Sequence, residues 1–494
     1  MIFAAGTAAQ ADVTSTEVWE AWQSAAEAMG QTLTPGSVDE DGGTLTLTDL
    51  QVSMETTDVS VSGTIPEVVF TEQGDGTVSI GFSPSYDMQI DVEPESGEQA
   101  EITMNFAFDG LDMVASGTPD AVTYEYDIAE MDMTVAQLVV DGEEVTLDAL
   151  IKVSGLSGTY VTSGDDSATM TSTFAAEAMD ITFHMDEPDG GDGVIDGSIN
   201  LTALSAESEG SMSLFGGGFK ELPEMLNAGM ASATSFTHGP SNYTFDFKDD
   251  EESMSVTGSA EGGQIEIGLS ADELLYNVSN TGVDMTMSGS EIPLPEVAFS
   301  AGEFGFNMQM PVSKSEEPKD VAFGITMADL SVSEMIWGII DPSGQLPHDP
   351  ATLIIDISGK ASPLFDMFDP EAAMEMEDEE MPVSLESMDL NKLQLTLAGA
   401  ELTGEGGFTF DMDNLETFDG MPAPTGKISL QLVGANALLD KLVSMGLVPE
   451  DQAMGARMMM GLFARPGDGD DTLVSEIEVD GATGAVSANG QRLQ

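Results

Sequence analysis

The chain has 494 residues, 41% of them hydrophobic, and sets 12 Lys and Arg against 89 Asp and Glu, a formal charge of −77. A field of that sign repels phosphate backbones, which excludes nucleic acid as a partner, and it disfavours anionic bilayer surfaces. The apolar share still suffices for a sizeable core, and the absence of Cys removes disulfides, thiolate catalysis and Cys-ligated metal sites.

The acids are spread along the chain, with the densest run at Glu371–Glu380. They read as a surface adapted to a salty medium, where screening tolerates self-repulsion. Ile2, Phe3, Ala4 and Ala5 begin an apolar stretch that ends Ala9-Gln10-Ala11 before Asp12. That is the shape of a signal-peptidase site, so residues 1–11 are expected to be the remnant of a signal peptide, cleaved after Ala11, with the mature chain in the periplasm. No later stretch approaches the roughly 18 apolar residues a spanning helix needs, so no transmembrane segment is expected in the mature chain.

Thr14 and Glu17 stand at capping-box spacing, and Val18, Trp22, Ala25, Ala26 and Met29 follow on one helical face until Gly30. After Gly43 the period changes to two. Apolar residues alternate at Leu45 and Leu47, at Val78, Ile80 and Phe82, at Met88, Ile90 and Val92, and at Ile102, Met104, Phe106 and Phe108. They do so again at Val122, Tyr124, Tyr126 and Ile128. Gly216-Gly217-Gly218 then precede a short helix around Glu221–Met230. Alternation resumes at Tyr243, Phe245 and Phe247, at Ile265, Ile267 and Leu269, and at Val283, Met285 and Met287. It continues at Phe304, Phe306, Met308 and Met310, then at Phe323, Ile325 and Met327. Such a pattern predicts half-buried antiparallel strands joined by hairpins. Near the end Leu438, Leu439, Leu442 and Val443 form one helical stripe, Pro449 suits a helix N1 position, and Met454, Met458 and Leu462 continue it. Strands through Ile477, Val479, Val486 and Ala488 close the chain. The expected fold is mainly β: elongated antiparallel meander sheets with a short N-terminal helix and a C-terminal helical hairpin. The glycine run divides it into a β-rich lobe at 12–215 and another at 216–494.

The residues offer little catalytic chemistry. His184, His238 and His348 are far apart and lack metal-site spacing. Nucleophile elbows and phosphate-binding loops are missing, and carboxylate pairs are too numerous to single out two. The loops Asp186–Gly193 and Asp468–Asp471 are oxygen-rich but do not match a calcium loop. No catalytic, cofactor-binding or metal-binding residue is assigned, and the chain is expected not to be an enzyme. The remaining oddity is 33 Met, many at inward strand positions where β-branched residues are usual. Met suits a surface that repacks around variable apolar partners, and it also serves as ordinary core.

The most distinctive segment is Leu330–Lys360, where an apolar helix carrying Trp337 runs into Asp341-Pro342 and then Leu346-Pro347-His348-Asp349-Pro350. With the ending Gly484–Gln491 and the opening Trp19 and Trp22, it resembles an uncharacterised family of alphaproteobacterial envelope proteins, domain-of-unknown-function family twenty-one twenty-five. The family's residue between Pro347 and Asp349 is Arg, where this chain has His348. A looser, fold-level likeness is to AsmA-type periplasmic proteins, which implies envelope lipid traffic. Read from its residues, the D-P-x-x-x-L-P-x-D-P segment is a rigid corner. Its prolines bar helix continuation, Asp341 and Asp349 can accept backbone N–H bonds, and the ring of Trp337 is expected to be buried.

The leading expectation is therefore a non-catalytic periplasmic envelope protein that handles lipid through an apolar sheet face, with lipid or another envelope protein as partner. A structural or protein-interaction module with a closed core is the alternative, and a hydrolase using only Asp and Glu is a further one.

Overall fold

A computed structural model describes residues 12–56, 58–94, 97–163, 169–187, 191–212, 214, 222–369 and 383–493. The tripeptide Ala9–Ala11, Pro188–Gly190 of the first acidic loop, the Gly216–Gly218 run and the acidic run Glu371–Glu380 lie outside the described residues. The chain forms two compact units, Met1–Thr257 and Gly258–Gln494.

Unit 1 begins with helix α1 (Ser15–Ala28). Its strands are β1 (Gln31–Thr34), β2 (Ser37–Asp41), β3 (Thr44–Glu55), β4 (Val59–Glu72), β5 (Val78–Phe82), β6 (Ser85–Val92), β7 (Ala100–Asp109) and β8 (Asp112–Thr118). They continue as β9 (Ala121–Val140), β10 (Glu143–Glu144), β11 (Leu147–Ser163), β12 (Thr169–Asp186) and β13 (Val194–Ser211). Short helix α2 (Leu222–Asn227), β14 (Ser232–His238) and β15 (Ser241–Lys248) complete it. Strand β16 (Ser253–Ala260) carries the chain into unit 2.

The core of unit 1 lies under α1. The capping box is formed: the Glu17 N–H donates to Thr14 Oγ1 at 3.3 Å and the Thr14 N–H to Glu17 Oε2 at 2.9 Å. This satisfies the first turn, and Gly30 at φ +73° ends the helix. Val18, Trp19, Ala25 and Ala26 are buried, and Val18 and Trp19 pack on Leu47, Val68, Phe70, Val78 and Tyr124. Trp22 meets Phe70 edge-on at 5.4 Å and donates its Nε1–H to the Tyr160 hydroxyl at 3.0 Å. Burial pushes the Tyr124 phenol far above its ordinary value, with the neighbouring Tyr160 adding to the shift.

Unit 2 is a meander. Strands β17 (Gly262–Leu269), β18 (Leu274–Gly289), β19 (Val297–Met310) and β20 (Lys319–Val332) lead to helix α3 (Glu334–Ile340). Strands β21 (Ala351–Pro363), β22 (Val383–Leu397), β23 (Ala400–Asp411) and β24 (Ala423–Val433) lead to helices α4 (Ala435–Ser444) and α5 (Glu450–Phe463). Strands β25 (Arg465–Pro466), β26 (Thr472–Asp480), β27 (Ala485–Ala488) and β28 (Gln491–Arg492) follow. From β17 to β24 each strand pairs antiparallel with the next, and β24 then pairs with β26, β26 with β27 and β27 with β28. Pro449 stands one residue before α5, as its N-cap, not at its first turn.

The strands do not alternate without interruption. In β11 and β13 the apolar positions run Ile151, Val153, then Leu156, and Ile199, Leu201, then Leu204. The residues at the break, Gly155 (φ +59°) and Ala203 (φ +50°), adopt the left-handed conformation. In unit 2, Val278 and Val283 flank Gly282 (φ +57°), while Met327 and Leu330 flank Asp329 (φ +54°). Each step shifts the parity of the strand, so that apolar side chains continue on one face while the strand bends.

Candidate functional site: an apolar sheet face in unit 2

The register of unit 2 sorts its side chains by face. One row runs Ile267–Tyr276–Met308–Phe323–Ile357–Leu390, then Gly406–Ile428–Ile477–Ala488. The next is Ile265–Val278–Phe306–Ile325–Ile355–Leu393–Gly404–Leu430–Ser475. A third is Phe304–Met327–Leu353–Leu395–Leu402–Leu432–Leu473. The rows between them face the other way and carry the polar residues. Asn277 donates to Glu266 at 2.9 Å and Asn391 to Asp356 at 3.1 Å on that side. Charge and grease are thus segregated to opposite faces of one sheet.

No Leu, Ile, Val, Phe, Tyr or Met of the three rows is fully buried. Ile267 is 47% exposed, Phe323 38% and Leu395 42%. The Met and Phe expected to line an apolar face fall here in part: Phe304, Phe306, Met308 and Met310 in β19, with Met285 and Met287 across the step at Gly282. Met104, Phe106 and Phe108 belong to β7 of unit 1.

At one end of the face stands the helical hairpin. Leu438, Leu439 and Leu442 of α4 and Ala456 and Met460 of α5 look toward Leu395, Leu397, Leu402 and Leu432, across an open cavity of about 330 Å³. The cavity surface is apolar throughout, with Glu401 at its edge. Next along the same rows, Leu393, Gly404, Leu430 and Ser475 floor a second, more polar depression of about 430 Å³, rimmed by Arg465, Glu476 and Asn489. At Gly404 a side chain would intrude, since a Cβ there would lie 2.6 Å from Leu430 Cδ2.

The hairpin is tethered by polar contacts at its root. Helix α4 has no capping side chain of its own, because Gly434 precedes it. Asp471, in the turn before β26, serves instead. It accepts the Ala437 N–H at 2.9 Å, the Asn436 N–H at 3.3 Å and the Asn436 side-chain amide at 2.7 Å. Partial burial works to raise its pKa, but these donors prevail and hold it below the usual carboxylate range. Arg457 ties α5 back to α4 through Asp440 and Asn436.

The Trp337–Pro350 segment forms the corner between α3 and β21, against the same end of the sheet. Asp341 is 3% exposed and accepts the Leu346 N–H at 2.6 Å and the Ser343 hydroxyl at 3.3 Å. The Leu346 bond above all keeps its carboxyl below the ordinary value. Leu346 is buried, and Pro347 lies over the β22–β23 turn, where a Cβ at Gly399 (φ +83°) would approach it to 3.1 Å. The Gln345 side chain accepts the Ser444 hydroxyl of α4 at 2.7 Å, which joins corner to hairpin. Pro342, Asp349 and Pro350 are exposed, and of the two aspartates Asp341 makes the turn bonds. Trp337 departs from expectation. Helix α3 buries none of its residues, and the half-buried ring stacks face to face on His348 at 4.3 Å. His348 Nδ1 also lies 3.3 Å from Glu334. A seven-residue helix at the strand ends, none of whose residues is buried, does not seal so large a ring.

The histidines stay apart: His184 contacts Asp196 at 2.7 Å, and the Nδ1 of His238 lies 2.7 Å from the Gly239 carbonyl. Among the described residues no cluster of three or more His, Asp or Glu is arranged to hold a metal ion. Asp471 of the second acidic loop is engaged as the α4 cap. No described helix is long and apolar enough to cross a membrane.

These features define a mainly β, antiparallel meander protein with a partly exposed apolar sheet face in unit 2 and a helix–strand corner. The chain belongs to the family of uncharacterized proteins conserved in bacteria designated DUF2125, which matches residues 244–493. No curated protein matches the chain. Among solved structures it is similar to BauA, the ferric preacinetobactin receptor from Acinetobacter baumannii, at 8% identity and a TM-score of 0.16, covering 93% of this chain and 76% of that one. It is similar also to the ferric citrate transporter FecA in the unliganded form, at 6% identity and a TM-score of 0.16, covering 94% and 76%. At those values neither likeness carries an argument about fold or role, and neither bears on the AsmA-type likeness.

Proposed function

We propose that this is a non-catalytic protein of the periplasm that holds a lipid or lipid-linked molecule on the apolar face of unit 2. The observation that carries the reading is the set of three apolar rows, none of whose large side chains is fully buried. So large an apolar surface in water is costly unless something occupies it. The cavity under the hairpin, about 330 Å³ and apolar throughout, falls at the lower end of ligand-pocket volumes. The more polar depression beside it, with Arg465 and Asn489, offers donors to a head group. Export with cleavage after Ala11 would bring the protein to a compartment bounded by two lipid leaflets.

The test is native mass spectrometry of protein purified from its own periplasm, followed by organic extraction. A stoichiometric lipid is expected, together with uptake of a fluorescent fatty acid by the stripped protein and loss of that uptake in Leu402→Glu. A clean apo mass with no uptake leaves only a structural role for the face. Hydrolysis of glycosides or esters abolished by a single Asp or Glu change would defeat the non-catalytic reading.

A further inference from the structure

Helix α5 is apolar on both sides. Its inner side presents buried Ala453, with Ala456 and Met460 lining the cavity toward the sheet. Its outer side carries Met454, Met458, Met459 and Leu462, which are 61%, 70%, 56% and 56% exposed. The spacing i, i+4, i+5, i+8 makes these one stripe, about 12 Å long at helical rise. An apolar stripe on a helix normally faces a core or a partner, and this one, which begins beyond the acidic first turn of Glu450 and Asp451, faces outward. Leu447, in the loop between the two helices, adds to the exposed apolar surface at 55%.

Charge decides between occupants. Residues 434–466 contain three acids (Asp440, Glu450, Asp451) and three cations (Lys441, Arg457, Arg465), so the segment is neutral within a chain of net charge −77. A second copy of the chain would bring its own −77 against the first, and an acidic partner would be repelled in the same way. A bilayer with zwitterionic head groups brings no net charge and accepts an apolar helical face a few ångströms deep.

We infer that the outer face of α5 docks the protein on a phospholipid bilayer, with the helix lying in the interface plane. Met458 and Leu462 are the central anchors. The inference stands on the helix alone and does not require the sheet face to be loaded.

Flotation of the full chain with vesicles tests it. With phosphatidylcholine vesicles the protein floats, and the bound fraction is insensitive to salt. When phosphatidylglycerol is mixed in, binding falls at low salt and recovers as salt screens the acidic body, the reverse of a polybasic anchor. The double change M458E and L462E lowers the partition coefficient by about tenfold or more, because each charge opposes insertion. M454Q with M459Q lowers it less, and both variants keep the wild-type melting temperature, since the positions are exposed. Failure to float with phosphatidylcholine, or M458E/L462E floating as well as the parent, overturns the inference. So does a wild-type dimer in sedimentation velocity that the double change dissolves. A protein that carries extracted lipid yet never floats defeats this inference and leaves the sheet-face reading standing. One that floats but carries and takes up none does the opposite.

Discussion

The region beneath α1 and the sheet of unit 2 are built from the same alternating strands, yet they end in opposite states. Under α1, Phe70, Val78, Leu47 and Tyr124 are fully buried. Across β17–β27, equally apolar rows remain part exposed. The difference lies in what covers them. Unit 1 places a 14-residue helix with two Trp over its rows, whereas in unit 2 α3 has seven residues and buries none, and the hairpin covers one end. Alternation establishes that a face is apolar; only a covering element makes it a core.

The sharpest way to break this comparison is to truncate matching aromatics. Tyr124→Ala or Phe70→Ala should cost about 3–5 kcal/mol in urea denaturation, the range for emptied aromatic sites. An effect of that size from Phe306→Ala in unit 2 would show the two regions to be equally closed. Asp471→Ala, which removes the side-chain cap of α4, should cost about 0.5–1 kcal/mol, the lower part of the capping range because solvent reaches the carboxylate. Amide exchange in 435–463 should accelerate while α1 keeps its protection; unchanged exchange would mean that packing alone holds the hairpin.

Trp337→Ala is expected to cost about 0.5–1.5 kcal/mol, the scale of an aromatic pair, because the ring is stacked on His348 without being sealed. A loss matching Tyr124→Ala would place Trp337 among the closed sites. Acid should separate the regions as well. Asp341 and Asp471 have pKa values held below the ordinary carboxylate value of about 3.9. Their contribution is fully present above that value and is lost as pH falls through the lowered ones. Exchange at the corner and the hairpin root should therefore rise below about pH 4, while the uncharged core under α1 holds; simultaneous loss would argue against local control. Phe306→Ala in lipid-free protein should cost less than Phe70→Ala, since its ring, though packed on Tyr276 and Phe323, keeps part of its surface in solvent. The same change in lipid-loaded protein should cost more, and equal costs would count against an occupant on that face.

Much of this architecture was legible. The capping box of α1, the strands around Tyr124, Phe306 and Ile325, and the leucine stripe of α4 all follow from local spacing. Strands β12 and β13 were harder, because Ala, Ser, Thr and Gly thin out their alternation. Coverage was not legible. Met454, Met458 and Leu462 read as a packing stripe but face outward, and Trp337 was expected to be sealed, because neither a helix's outer side nor a missing lid leaves a local mark. The cap supplied by Asp471 joins positions far apart in sequence, which spacing cannot reveal. The parity shifts did leave a signal, in pairs such as Leu201 and Leu204 or Met327 and Leu330, where apolar residues stand three apart inside a strand.

Those left-handed steps have a consequence for how such a sheet can change over evolutionary time. Loss of Ala203 or Asp329 itself would bring Leu201 and Leu204, or Met327 and Leu330, to the spacing of two that a regular strand keeps on one face, so the step would vanish and the facing survive; loss of one residue elsewhere in these strands would instead send everything beyond it to the acidic face. Loss of two residues would preserve the facing and merely shorten the strand. On either side of a step, length can therefore vary by pairs, and single insertions or deletions should survive only where they coincide with the gain or loss of a left-handed residue.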